Sequence, residues 1–183
     1  GKTWRSLTAG LPESTVCQRV REGLTNPNLL FCGTEHHLYM SLDTGAHWMA
    51  LSDGLPTVAI DDIAIHPRDH DLVVGTHGRS AYVMDDITPF EQWSARVLTD
   101  SLTFFAPRPV TAFYMRGLGG IWGAKMWAAK NPAFGAYFDY FVAEEMEDGV
   151  SIAITDSSGA KMKTLTGDGK PGLGLRGPRL VAA

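Results

Sequence analysis

The chain begins GKTWRSLTAGLP, and residues 45–56 repeat it as GAHWMALSDGLP. Writing one under the other matches Gly1 to Gly45, Trp4 to Trp48, Leu7 to Leu51, Gly10 to Gly54, Leu11 to Leu55 and Pro12 to Pro56, an offset of 44 residues. From Thr15 the register tightens to 42: Thr15-Val16 meets Thr57-Val58, Leu30 meets Leu72, Gly33-Thr34 meets Gly75-Thr76 and Asp43 meets Asp85. A repeat of this length constrains the fold more than composition does. A copied unit is a copied supersecondary element that buries its apolar faces against its neighbours. Offsets of 42 to 44 residues fall in the range of one four-stranded propeller blade. Tetratricopeptide, ankyrin and leucine-rich units are shorter, kelch blades are longer, and HEAT units need continuous amphipathic helices that this sequence does not carry.

The local chemistry agrees. TVCQRV, NLLFCGT and HLYMSL read as three strands, with a turn at Asn26-Pro27-Asn28; VAIDDIAI, LVVGTH and RSAYVM copy them around the turn HPRDHD. β-Branched and aromatic runs bounded by Pro, Asn and Asp are the signature of short antiparallel strands. After Asp86 the pattern changes. Thr88-Pro89-Phe90-Glu91 fits a capping box with proline in the first turn and predicts a short helix or helical turn toward Leu98. LTFFAPRPVTAFYM then reads as an extended run, and RGLGGIWGAKMWAAKNPAFG as a glycine-rich connector. Beyond it AYFDYFVAEE reads as a strand apolar on both faces except at Asp139, and VSIAIT, DSSG and AKMKTL as a hairpin.

Bulk properties exclude some partners. A net charge of −4, with no long Lys/Arg run, gives no electrostatic footprint for nucleic acid or an anionic membrane surface. No apolar run reaches the length of a membrane span, and GKTWRSL is not a signal peptide. Residue 1 lies inside a repeated motif, so the reading expects a longer parent chain. The two cysteines, Cys17 and Cys32, fall on neighbouring predicted strands, and their partners at offset 42 are Ala59 and Val74. Apolar residues at both places favour two buried thiols acting as small hydrophobes, with a cross-strand disulfide as the open alternative.

The most specific motif is Ser41-Leu42-Asp43-Thr44-Gly45-Ala46-His47-Trp48, which fits S-x-D-x-G-x-x-W throughout. A short carboxylate can accept hydrogen bonds from turn amides, glycine can take positive φ, and tryptophan supplies an apolar wedge with one donor. Gly1-Lys2-Thr3-Trp4 is then the tail of a preceding copy, and Asp85 the remnant of a third with Phe90 at the tryptophan position. This resembles the Asp-box, or bacterial neuraminidase repeat (BNR), and more closely the sortilin-like branch of those propellers, found in large bacterial proteins often labelled glycosyl hydrolases. HPRDHDLVVGTHGRSAYVMDDITP resembles the last blade of that family, and FFAPRP with NPAFGAYFDYF its entry into a following sandwich.

The resemblance implies an all-β chain: two terminal blades of an Asp-box β-propeller followed by a partial β-sandwich. The expected limits are residues 1–92 for the partial propeller, 93–133 for the connector, 134–166 for the partial sandwich and 167–183 for a disordered tail. A full ring of blades is expected of such a family and only about two are present, so open strand edges are expected too. TGDGKPGLGLRGPRLVAA lacks an expected tryptophan-bearing strand, which points to truncation or a frame change near Gly172.

In families that carry Asp-boxes the motif lies on the blade periphery, so Ser41, Asp43, Gly45 and Trp48 are assigned structural roles and no residue a catalytic one. Glycoside hydrolysis needs two carboxyl groups about 5–10 Å apart. Asp61 and Asp62 are consecutive on a predicted strand, and strict alternation points them to opposite faces. Either one, or Arg79 in GTHGRS, is a channel-facing candidate; hydrogen-bonded strand-end carboxylates and an ion pair from Arg79 to Asp85 or Asp86 are the favoured readings. His66 and His70 are separated by Pro67, which removes the helix that would bring them together, and an exposed turn is expected there, as it is at His36-His37. Trp122, Trp127, Phe134, Tyr137, Phe138, Tyr140 and Phe141 form either a sugar-stacking platform or, as favoured, the core between propeller and sandwich. GLGGIWG lacks the strand and helix of a nucleotide loop, and neither a cofactor nor a metal is expected.

What the resemblance implies for function is the non-catalytic C-terminal part of an extracytoplasmic or secreted bacterial protein, packed against the parent's other blades. The resemblance implies a parent that is a carbohydrate-active hydrolase, similar to the xyloglucanases, that meets a polysaccharide; the alternative is a sortilin-like propeller that holds a peptide or protein. Whether the parent is an enzyme stays open at this point.

Overall fold

The computed structural model describes residues 1–110, 135–174 and 180–182, Gly174 and the last segment through the backbone alone. Seven strands come first: β1 (Cys17–Glu22), β2 (Leu30–Thr34), β3 (Leu38–Ser41), β4 (Met49–Leu51), β5 (Ile60–Ile65), β6 (Leu72–Thr76) and β7 (Ala81–Met84). One helical turn, α1 (Thr88–Glu91), and a 3-10 turn at Ala95–Leu98 follow. Then come β8 (Leu102–Phe104), β9 (Tyr140–Val142), β10 (Val150–Thr155), β11 (Lys161–Gly167), β12 (Gly172–Gly174) and β13 (Leu180–Ala182). The chain is all-β among the described residues, every strand pairing is antiparallel, and no sheet closes on itself.

Two compact units result, one built on Gly1–Trp93 with β13 and the other on Ser94–Pro107 with residues 137–174. In the first, β1-β2-β3-β4 form one four-stranded meander, and β5-β6-β7 form a second whose outer place beside β7 is taken by β13. The repeat seen in the sequence is therefore a repeated meander, and the pairing fixes its register. Gly33 and Thr34 correspond to Gly75 and Thr76, an offset of 42, because they occupy the same rungs. Each first strand carries a bulge at the same place, between Cys17 and Arg19 and between Ile60 and Asp62. Arg19 therefore corresponds to Asp62 and Cys17 to Ile60, which replaces the Ala59 assigned by a uniform offset of 42.

A second slip occurs between β6 and β7. Thr34 N donates to the His37 carbonyl at 2.9 Å, whereas Thr76 N donates to the Ser80 carbonyl at 3.2 Å, so the second turn is one residue longer. Counting on from that slip, Asp86, and not the expected Asp85, falls in the register of Asp43, while the positive φ that Thr44 takes in the first turn, 60°, is taken in the second by Asp86, 52°. The next turn, α1, has Ile87 at its N-cap and no side-chain cap, so the predicted capping box does not form. Glu91 is drawn to His70 and the Thr88 hydroxyl donates to Asp86. Helical structure toward Leu98 breaks into α1 and the 3-10 turn.

The two meanders share a core. Phe31, Leu38, Ile60, Ile63, Leu72 and Val74 are all fully buried. Gly33 is small for a reason, since a Cβ there would lie 2.6 Å from Ile60 Cγ2. The other face of β2 and β3 makes a separate cluster of Cys32, Tyr39 and Trp48, covered by Leu11 and Leu30. Asn26 is buried in the β1–β2 turn: its Oδ1 accepts from Asn28 N at 3.0 Å and its Nδ2 donates to the Trp93 carbonyl at 3.0 Å.

The second unit holds a three-stranded sheet in the order β12-β9-β8 and the hairpin β10-β11. The hairpin turns where DSSG predicts it, with Asp156 Oδ1 accepting from Ser158 N at 2.8 Å and Ala160 N at 3.0 Å. Tyr140, Val142 and Val150 form its core with Met146 and Ile152. The strand expected over AYFDYFVAEE is confined to Tyr140–Val142, and the segment from residue 167 onward, expected to be a tail, contributes β12 and β13. Trp122, Trp127 and Phe134, with the glycine-rich connector, lie outside the described residues. Phe138 stacks on Phe104, ring centroids 6.5 Å apart.

Candidate functional site

The turn after β3 is built around two oxygens. Ser41 is fully buried at the end of β3, and its hydroxyl donates to Asp43 Oδ1 at 2.8 Å while its Oγ accepts from Gly45 N at 2.8 Å. Asp43 Oδ1 also accepts from His47 N at 2.9 Å, and Oδ2 meets His47 Nδ1 at 2.6 Å. Thr44 and Gly45 both take positive φ, 60° and 81°, the conformation that lets the chain double back under the carboxylate. Burial opposes ionisation of Asp43, but hydrogen bonds from the His47 side chain and amide and from Ser41 outweigh it and hold the carboxyl below its ordinary value. Trp48 leaves this turn facing inward, its Nε1 donating to the Leu7 carbonyl and its backbone N to the Ala9 carbonyl, both at 2.9 Å. The motif thus ties its own hairpin to the segment before it, and both Asp43 oxygens are occupied in doing so.

The channel candidates lie on β5. The bulge breaks the alternation expected of Asp61 and Asp62, and both are exposed instead of pointing to opposite faces. Asp62 Oδ1 lies 2.9 Å from Arg19 Nε and 3.5 Å from Arg21 Nη2, and Arg21 Nε donates to the Ile63 carbonyl at 2.6 Å. The Ile63 amide first, then the two guanidinium groups, pull the Asp62 carboxyl below its ordinary value. Asp61 Oδ2 meets His77 Nδ1 at 3.2 Å. Arg79 is exposed in the β6–β7 turn, and no ion pair joins it to Asp85 or Asp86; Asp86 is approached by Arg108 at 3.6 Å.

Sequence reasoning missed Arg19, Arg21 and His77. The signal was present: Arg19 and Asp62 hold equivalent rungs of the two repeats, a complementary pair that a uniform offset of 42 conceals by aligning Arg19 with Asp61. It also placed His70 in an exposed turn. His70 instead has a side chain 21% exposed and φ 56°, and its Nδ1 lies 2.7 Å from Oε2 of Glu91, whose side chain is 3% exposed. That pair joins the HPRDHD turn to α1. His66 Nδ1 accepts from Asp69 N at 3.1 Å, and His37 stands edge-on to Tyr39 at 6.2 Å. Among the described residues no group of three or more His, Cys, Asp or Glu side chains could hold a metal ion, and no helix is long and apolar enough to cross a membrane. No family model, curated protein or solved structure matches the chain.

Proposed function

We propose that the chain is a non-catalytic structural segment: the C-terminal part of an extracytoplasmic BNR/sortilin-like propeller protein, its two meanders the last two blades and its second unit the start of a β-sandwich. What carries this reading is the engagement of the Asp-box carboxylate. Asp43 spends both oxygens on its own turn, and Trp48 fastens that turn to the preceding repeat, which is the work of a scaffold and not of a reacting group. The recurrence of the meander with its bulge at the same rung supports it further. On this reading the parent is a carbohydrate-active glycosyl hydrolase whose acid and base belong to other blades.

A second reading, a peptide- or protein-binding propeller, draws support from the exposed Arg19, Arg21, Asp61 and Asp62 on the two first strands, with His77 of the β6–β7 turn beside Asp61. One experiment separates these. The purified chain is incubated with xyloglucan and other soluble glucans, reducing ends are measured, and the same chain is titrated calorimetrically with a peptide library. No release of reducing ends is expected. Hydrolysis abolished by Asp61→Asn or Asp62→Asn would overturn the proposal, and a peptide bound by the wild type but not by an Arg19→Ala/Arg21→Ala variant would select the second reading.

A further inference from the structure

The bulge that shifts the register of β1 also determines where its first side chain goes. Cys17 pairs with Thr34, two residues along β2 from Cys32, so the two cysteines are diagonal neighbours on one face of the sheet. Their Sγ atoms are in direct contact, both as free thiols. The register and the bulge thus bring the pair within reach of a bridge, which needs about 2.05 Å between sulfurs. The two thiols differ in access. Cys17 is exposed, whereas Cys32 is 1% exposed beneath Trp48 and Tyr39.

We propose that Cys17 and Cys32 are a redox-active dithiol that closes to an intramolecular disulfide by exchange with a low-molecular-weight disulfide, Cys17 attacking and Cys32 resolving. The Cys17 thiolate attacks one sulfur of the reagent, forming a mixed disulfide and expelling one reagent thiolate. Cys32 then gives up its proton to solvent, and its sulfur attacks Cys17 Sγ, expelling the second reagent thiolate. Two protein thiols are oxidised by two electrons, and one reagent disulfide is reduced to two thiols. The order of attack follows from access, and burial reinforces it. Burial first, then the hydrogen bond to and charge of Cys17, push the Cys32 thiol up to about 12, so Cys32 resists ionisation. The bridge joins a strand whose six side chains are all exposed to one that is almost entirely buried, so it fastens the outer strand of the meander to its centre.

The test uses the full chain and oxidised glutathione. Reduced protein is incubated with the reagent in native buffer, quenched with acid, alkylated with N-ethylmaleimide and weighed intact. The wild type is expected to lose the mass of two hydrogens and to carry neither label nor glutathione. Cys32→Ser is expected to stop as a Cys17–glutathione adduct, and Cys17→Ser to remain a free thiol that takes label only after denaturation. In urea, where the ladder between β1 and β2 is gone, the wild type is expected to accumulate glutathione adducts instead. Any maleimide on the wild type after native incubation, a stable native glutathione adduct, a disulfide-linked dimer, or the same product distribution with and without urea would each overturn the proposal. The last comparison uses only the wild type and does not depend on either variant folding.

Discussion

Trp4 and Trp48 hold the same place in two copies of one motif, and the structure gives them opposite surroundings. Trp48 is 9% exposed with its indole N–H on the Leu7 carbonyl, while Trp4 is 92% exposed. Tryptophan buries up to about 250 Å². At about 25 cal/mol/Å², some 200 Å² of it corresponds to about 5 kcal/mol for Trp48, an upper figure because the unfolded chain also shelters apolar surface. Truncations of this kind cost about 3–5 kcal/mol in cores, so Trp48→Ala is expected to lose about 4 kcal/mol. Trp4→Ala, by contrast, is expected to stay within about 0.5 kcal/mol of wild type. Trp48→Phe keeps most of the packing and leaves the Leu7 carbonyl without its donor, at about 1–2 kcal/mol. The assay is a urea titration followed by far-UV circular dichroism, because each variant changes the fluorescence. With a slope of about 2 kcal/mol/M, Trp48→Ala lowers the midpoint by about 2 M at unchanged slope. Equal shifts for the two alanine variants would refute the reasoning, since position in the motif and not burial would then set the cost.

Two further predictions rest on single groups. Gly33→Ala places its Cβ 2.6 Å from Ile60 Cγ2 and is expected to destabilise by about 1–3 kcal/mol through overpacking. Ile60→Ala in the same chain should recover part of that loss, and a double-mutant cycle with additive effects would contradict the contact. Asp85 is held above its ordinary value by burial and then by the charges of Asp71 and Asp86. Its folded-state value therefore exceeds the unfolded one. The ionised form costs stability above the folded value, and the cost fades as pH falls through that window toward about 3.9. Asp85→Asn is expected to raise the thermal midpoint at neutral pH and to leave it unchanged below about pH 3; an equal gain at both would assign the effect to something other than charge.

Contrasting Asp43 with Asp85 shows which parts of the site could be read in the sequence. Both follow a β-strand and both look like turn carboxylates, yet one is pulled below its ordinary value and the other pushed above it. The difference comes from neighbours. Asp43 has Ser41 two residues before it, and S-x-D-x-G-x-x-W states that partnership outright, so the whole turn was legible from eight letters. At Asp85 the corresponding place holds Val83, and its environment is set by Asp71 across the sheet and by the adjoining Asp86, which pattern matching does not rank. Alternation failed at Asp61 and Asp62 for a related reason, since one inserted residue on a rung reverses the facing of everything beyond it.

The repeat itself supplied the correction. Two sequence copies aligned at one fixed offset treat the connecting turns as equal in length, and here they are not. The offset is 43 at the first strand but 42 at the second, because the turn from Glu22 to Leu30 is one residue longer than that from Ile65 to Leu72, and 43 again at the third, because the turn ending at Ser80 is longer than that ending at His37. Fitting each strand separately would have placed Arg19 opposite Asp62, Cys17 opposite Ile60 and Asp86 in the register of Asp43. Those are the positions where charge, thiol chemistry and turn closure reside. In a repeated β chain the strands reveal the fold through their shared pattern, the shared bulge re-aims the same side chains in both copies, and a fixed offset mispairs them wherever the connecting turns differ in length.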